Sequence, residues 1–333
     1  MINISFQTKS PLCQISTSED TSIKIKKQKV LVENKHGRKT SLYVPIYTGN
    51  GFRGMLRRET MAVMLEAYAK NSKSGEKIMA SPEDYHLMNA GGGNAYPNQP
   101  FNVEDKVREL NPQISLFGAS LAVKGKIRVS NFVPFEKNEN SDVFYQFYES
   151  QEGHVFSSII GESKIVVRDG ILDRNQNSQY LTREQIEDWL EKNDTNTKER
   201  AKDRESDEKN TKKKTMRGLV TREYVAVGVD FFGGISEIEK LTIIEKGLLV
   251  LGLERAILNN LGAVSSNDFG KVKYTIEIDK DSKLETDINK YGQCTISSRY
   301  YSEELEKCLK ETQKFLKNIS KETFDIAKLL IKN

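Results

Sequence analysis

The sequence has 333 residues, 29% of them charged, and a net charge of +4. That length allows one large domain or two small ones with a substantial core, and so mild a net charge leaves any nucleic-acid role to local clusters of basic residues. Cys13, Cys294 and Cys308 are odd in number, far apart and out of metal-ligand spacing, which argues against a disulfide scaffold and a zinc site. The chain opens on a strand-like alternation rather than a signal-peptide pattern, and no apolar run approaches the roughly 18 residues of a membrane span, so a reduced cytoplasmic setting without a membrane partner is expected.

Ile2-Asn3-Ile4-Ser5-Phe6 alternates apolar and polar side chains and predicts a first core strand. A polar segment from Ser10 to Lys39 follows, with a turn at Ser16–Asp20, a basic ribbon of Lys24, Lys26, Lys27 and Lys29, and a hairpin suggested by Ile23, Ile25, Val30 and Val32. The short apolar run Val44-Pro45-Ile46 ends in a Gly49-Asn50-Gly51 turn. An apolar-rich segment with helical spacing starts at once and carries Arg53, Arg57 and Arg58 in its first turns. Small residues let backbone amides approach an anion closely, a helix N-terminus favours negative charge, and arginines four apart share a helix face. The stretch therefore reads as a polyanion-backbone site. Arg53 and Arg57 can face outward together, while Arg58 lies about 100° further round the helix and can serve the fold or a neighbouring copy.

From Ala69 to Asn111 the composition turns polar and small, predicting an insertion of short helices around a loop at Gly91–Asn94. Lys126–Val133 resumes strict alternation as a second strand. Residues 136–221 form a larger insertion, mostly of mixed charge and ending in Lys212-Lys213-Lys214-Thr215-Met216-Arg217-Gly218. Tyr224–Phe231 reads as a third strand, Leu241–Leu258 as a helix of about 20 residues, and Lys271–Ile278 as a fourth strand. A final amphipathic helix starts at Ser302, a good N-cap with Glu303 and Glu304 behind it. Stripped of its insertions, the order is strand, helix, strand, strand, helix, strand. This predicts an α+β, ferredoxin-like (RRM-like) βαββαβ frame with two helices on one face of an antiparallel sheet.

Four stretches in this frame carry a family resemblance: Ser10-Pro11-Leu12 with Ile15, the Gly49–Arg58 motif, Leu116-Phe117-Gly118, and the late loop Leu261-Gly262 to Phe269-Gly270-Lys271-Val272. On these the chain resembles the CRISPR-associated RAMP superfamily, and within it the backbone subunit that coats the guide RNA of multi-subunit effector complexes. It looks most like the type IV backbone subunits, with type I and type III relatives as the other placements. The resemblance implies a hand-shaped protein whose discontinuous palm is 1–68, 116–135 and 222–280, with a finger at 69–115, a thumb within 136–221 and a C-terminal helical segment at 281–333. It implies copies stacked into a helical filament along the guide, with a complementary target nucleic acid and other effector subunits as partners and no cofactor. The family's late loop is richer in glycine and often basic, whereas Ser265-Ser266-Asn267-Asp268 stands there in this chain; Gly270 and Lys271 remain.

Coating RNA regardless of sequence needs amides and cations for phosphates, plus apolar wedges where bases are splayed. The candidate RNA-binding residues are Gly49, Asn50, Gly51, Arg53, Arg57, Arg58, Gly270 and Lys271. Candidates for the thumb are Lys212, Lys213, Lys214, Met216, Arg217 and Leu219, with Met216 and Leu219 as wedges. His36, His86 and His154 stand apart from any metal-ligand partner, and Asp169 and Asp173 flank Gly170 in what reads equally well as a turn. The expectation is a non-catalytic subunit. The alternative is a metal-dependent ribonuclease of the same superfamily, for which Asp20 is the one candidate; a ferredoxin-like assembly protein with no nucleic-acid role is a further reading.

Overall fold

The computed structural model describes residues 1–19, 22–33, 39–71, 81–91, 100–119, 122–135, 159–168, 182, 184, 217–263 and 268–330. In chain order β1 (Ile2–Thr8), β2 (Ile15–Glu19), β3 (Ser22–Ile25), β4 (Lys27–Glu33) and β5 (Lys39–Pro45) lead to α1 (Gly49–Asn71). Next come α2 (Pro82–Ala90), α3 (Phe101–Leu110), α4 (Pro112–Phe117), β6 (Ile127–Val129), β7 (Val133–Pro134), β8 (Ile160–Arg168), β9 (Arg217–Val225) and β10 (Asp230–Glu237). The chain continues through α5 (Ile243–Ala256), β11 (Val272–Asp279), β12 (Ser282–Ile288), β13 (Cys294–Tyr300), α6 (Glu303–Lys317) and α7 (Ala327–Leu330). It is a mixed α+β protein.

The chain divides into two compact units. The larger comprises Met1–Thr17, Ile25–Gly161 and Glu223–Asn333; the smaller comprises Ser18–Lys24 and Glu162–Arg222. The larger unit is built on a sheet in the order β13-β12-β11-β1-β10-β6, with β7 also on β10. Every pairing in it is antiparallel. In β1, Ile2, Ile4, Phe6 and Thr8 are buried while Asn3, Ser5 and Gln7 are half-buried, as period-two alternation requires. Phe6 stacks on Phe231 with ring centroids 5.0 Å apart, and Phe52 of α1 meets Phe132 at 5.0 Å, so the first helix is seated by aromatic packing. In the smaller unit β3 runs parallel to β9, pairing Ser22 with Thr221 and Ile23 with Arg222.

Against α1 lies α5, at a crossing where a Cβ on Gly252 would stand 2.1 Å from Thr60 Oγ1; only glycine allows so close an approach. A capping box starts α5: Thr242 Oγ1 accepts from Glu245 N at 3.2 Å and Glu245 Oε2 accepts from Thr242 N at 2.7 Å. Glu245 also accepts from Lys126 Nζ at 2.9 Å, tying the helix start to the chain just before β6. At the other end of the molecule's sequence, Asp84 Oδ1 accepts from Ala327 N at 2.5 Å and Asn111 Nδ2 donates to Thr323 O at 2.9 Å, so the C-terminal segment braces the helices of the 69–115 insertion.

Four expectations need correction. Gly49-Asn50-Gly51 is not a turn before the helix but its first turn, because Thr48 already accepts the Phe52 N–H at 3.2 Å. The hairpin expected across Ile23–Val32 is formed instead by β4 and β5, with Lys29 opposite Tyr43. The run Tyr224–Phe231 is broken at Gly228, whose φ of 88° turns the chain between β9 and β10, so the third core strand is Asp230–Glu237. Residues 281–300, expected to be helical, form β12 and β13 and widen the sheet.

Candidate nucleic-acid interface

At the N-terminus of α1 the amides are already engaged. Gly49 N donates to Asn131 Oδ1 at 3.0 Å and Gly51 N to Thr48 Oγ1 at 3.2 Å, while Gln14 Oε1 accepts from Thr48 N at 2.6 Å. These side chains cap a helix whose first turn holds no acidic residue. Asn50 is exposed beside them.

Arg53 and Arg57 do share a face, but the outward placement expected for them does not hold. Arg57 is buried: its Nε donates to Met88 O at 3.0 Å, its Nη2 donates to Gly118 O, and its guanidinium lies 5.9 Å from the Phe117 ring centroid. Arg53 Nη2 donates to Phe117 O, and its Nε is buried with no hydrogen-bond partner. No carboxylate pairs with either guanidinium among the described residues; carbonyl dipoles take that place. Burial lowers the Arg53 pKa, and burial first and Arg53 second bring Arg57 down to about 10. Both stay charged at neutral pH, and their donors fasten α1 to the Leu116-Phe117-Gly118 stretch and to the end of α2.

Of the three arginines in the motif, the one that reaches solvent is Arg58. It is exposed and forms no ion pair with any described residue, and its guanidinium curls back over Gly54, where an added Cβ would sit 3.6 Å from Nη1. Its charge also reaches Tyr47. Burial raises the Tyr47 pKa, opposed by a hydrogen bond from the Gly262 backbone and by the field of Arg58. Arg255, by contrast, is held by Glu59 at 3.2 Å and Glu66 at 2.7 Å. Lys271, a candidate on the late loop, pairs with Asp268 three residues before it. Gly270, with φ of 80° and no room for a Cβ against Leu261 O, shapes that loop from within.

The four stretches singled out by sequence are joined in one run of hydrogen bonds, in part through residues between them. Lys271 N donates to Ser10 Oγ at 2.8 Å, Gly270 N to Pro11 O at 2.8 Å and Ala263 N to Cys13 O at 2.7 Å. Gln14 then reaches Thr48 at the start of α1, and Arg53 and Arg57 reach Phe117 and Gly118. All of these contacts lie in the larger unit. Gln14, Tyr47 and Asn131 belong to this assembly although nothing in their local sequence marks them, since their partners lie 34 to 82 residues away or beyond.

Asp20, Lys212, Lys213, Lys214, Met216, His36, His154, Asp169 and Asp173 lie outside the described residues. Arg217 and Leu219 fall in β9. His86 is exposed on α2. Among the described residues no group of three or more His, Cys, Asp or Glu side chains could hold a metal ion, and no helix is long and apolar enough to cross a membrane.

The sequence matches no protein-family description and no curated protein. Among solved structures, a chain of a type IV-B CRISPR complex is similar over 83% of this chain and 90% of its own length, at 14% identity and a TM-score of 0.48. A chain of a type III-B Cmr-beta complex bound to cognate target RNA is similar over 83% of this chain and 59% of its own, at 12% identity and a TM-score of 0.35.

Proposed function

We propose that this chain is a non-catalytic, RNA-binding backbone subunit of a CRISPR effector complex. It coats a guide RNA as stacked copies, contacts other effector subunits, and presents the guide to a complementary target. Its palm is ferredoxin-like, a reading supported by the antiparallel adjacency β11-β1-β10-β6 with α1 and α5 as the crossovers.

The observation that carries this reading is the run of hydrogen bonds that joins the four motif stretches within the larger unit, with Arg58 exposed on α1 and in no ion pair with a described residue. A guanidinium in no ion pair with a described residue keeps its attraction for phosphate and offers a forked set of donors, unlike Arg255 with its two acids. Asn50, at the start of the same helix, adds an exposed polar side chain. Such a surface holds a phosphate backbone and reads no base, which suits a subunit whose specificity comes from pairing between guide and target. Arg53 and Arg57 support the role indirectly, by locking the helix that presents Arg58.

The test is incubation of the purified protein with two unrelated single-stranded RNAs, with and without Mg²⁺. The expected result is binding of both RNAs and recovery of both uncut, unchanged in Asp20→Ala. Mg²⁺-dependent cleavage that disappears in Asp20→Ala would replace this reading with a ribonuclease.

A further inference from the structure

The end of the sheet where β1 begins carries a cavity of about 470 Å³. It lies at the first residues of β1 and the last of β10 and β11. β1 alone spans about 20 Å at the usual rise of a strand, so the two ends are well separated. Ile2, Ile235, Leu249, Ile278, Leu305 and Cys308 make its floor. Its rim is acidic: Glu237, Asp281, Glu303 and Glu304 are all exposed there, against Lys246 and Lys280. An apolar floor with an acidic rim suits an apolar or aromatic anchor flanked by cations.

The same chain carries such an anchor. In the β4–β5 hairpin, Lys29 stands directly opposite Tyr43; Tyr43 is 62% exposed and Lys29 and Lys26 are exposed too. The hairpin leads by Ile46 and Tyr47 into α1, and Tyr47 pairs with Phe132 beside the middle of β10. Tyr43 is exposed in a separate two-stranded sheet and is not among the residues that line the cavity, so anchor and cavity do not meet within a single copy.

We infer that the cavity is the socket for a second copy of this chain, which inserts Tyr43 over the apolar floor and sets Lys29 and Lys26 against the acidic rim. Two different surfaces pair in this contact, so it is heterologous and repeats head to tail rather than closing a symmetric dimer. The inference gives residues to the self-assembly in the proposed function and rests on that reading for its biological sense. Its test is run without RNA, so that failure of the contact and failure of RNA binding are read separately.

Three proteins are compared by analytical ultracentrifugation at up to about 0.1 mM, where a contact with a micromolar Kd is well populated: the unaltered chain, Tyr43→Ala, and the double variant Glu303→Lys with Glu304→Lys. All three changes are at exposed positions, and a single cooperative thermal unfolding transition verifies that each variant folds, the Lys substitutions in the first turn of α6 being expected to lower its midpoint. The unaltered chain is expected to self-associate with increasing concentration, and each variant to do so at least roughly tenfold more weakly. An equimolar mixture of the two variants is expected to form dimers, because the double variant keeps its hairpin and Tyr43→Ala keeps its socket. An unaltered chain that stays monomeric, a variant that associates as well as the unaltered chain, or a mixture that gains no dimer would each overturn the inference.

Discussion

Arg57 and Gly118, 61 residues apart in sequence, are joined by a charge-assisted hydrogen bond inside the larger unit. The same guanidinium donates to Met88 O, so one side chain closes α1 onto two later segments without any carboxylate. Arg57→Ala should therefore cost stability, by about 2 kcal/mol, since it leaves two carbonyls with lost donors in a buried place. Urea denaturation measures that loss, and RNA binding per folded molecule should not change.

Glu245 gives the protein an acid-sensitive joint. Burial works to raise its pKa, but hydrogen bonds from Ser115, the Thr242 backbone and Lys126 outweigh it, and the net shift is downward from 4.5. A carboxyl with a depressed folded-state pKa stabilises the fold above its unfolded value, and that contribution fades as pH falls through the folded one. Glu245→Gln should cost about 3 kcal/mol at pH 7, where it leaves the largely buried Lys126 without its counter-charge. The gap between the two proteins should narrow below pH 4.5, as followed by urea denaturation across pH.

Two helical glycines should respond in opposite ways to alanine. At Gly252 the new methyl would collide with Thr60 on α1, and a destabilisation of about 1–3 kcal/mol is expected from forcing the helices apart. At Gly54 the nearest atom is Arg58 Nη1 at 3.6 Å, an ordinary contact, so Gly54→Ala should stabilise α1 by about 0.5–1 kcal/mol. Thermal unfolding of the two variants checks both signs.

Local chemistry was legible where it stays local. Ser302 caps α6 by accepting from Leu305 N, with Glu303 and Glu304 in its first turn, and β1 alternates as its residues dictate. The split of Tyr224–Phe231 was hidden because Gly228 turns the chain inside a run of strand-forming residues. β12 escaped because Lys283, Glu285 and Asp287 dominate its pattern, and its buried positions include Ser282 and Thr286, which do not read as core. The arginines show the limit most clearly. Spacing correctly places Arg53 and Arg57 on one face, but which face is buried is decided by the carbonyls of Met88, Phe117 and Gly118, supplied from more than 30 residues away.

In the proposed function Arg58, in no ion pair with a described residue, offers its guanidinium to an RNA backbone. Fluorescence anisotropy with two unrelated single-stranded RNAs, across about 50–300 mM salt, tests it directly for the unaltered chain and Arg58→Ala. Affinity should fall about five- to tenfold for both RNAs alike, the salt slope should shrink by about one, and thermal unfolding should be unchanged. Equal affinity and equal salt slope in a folded Arg58→Ala protein would contradict a phosphate contact at Arg58.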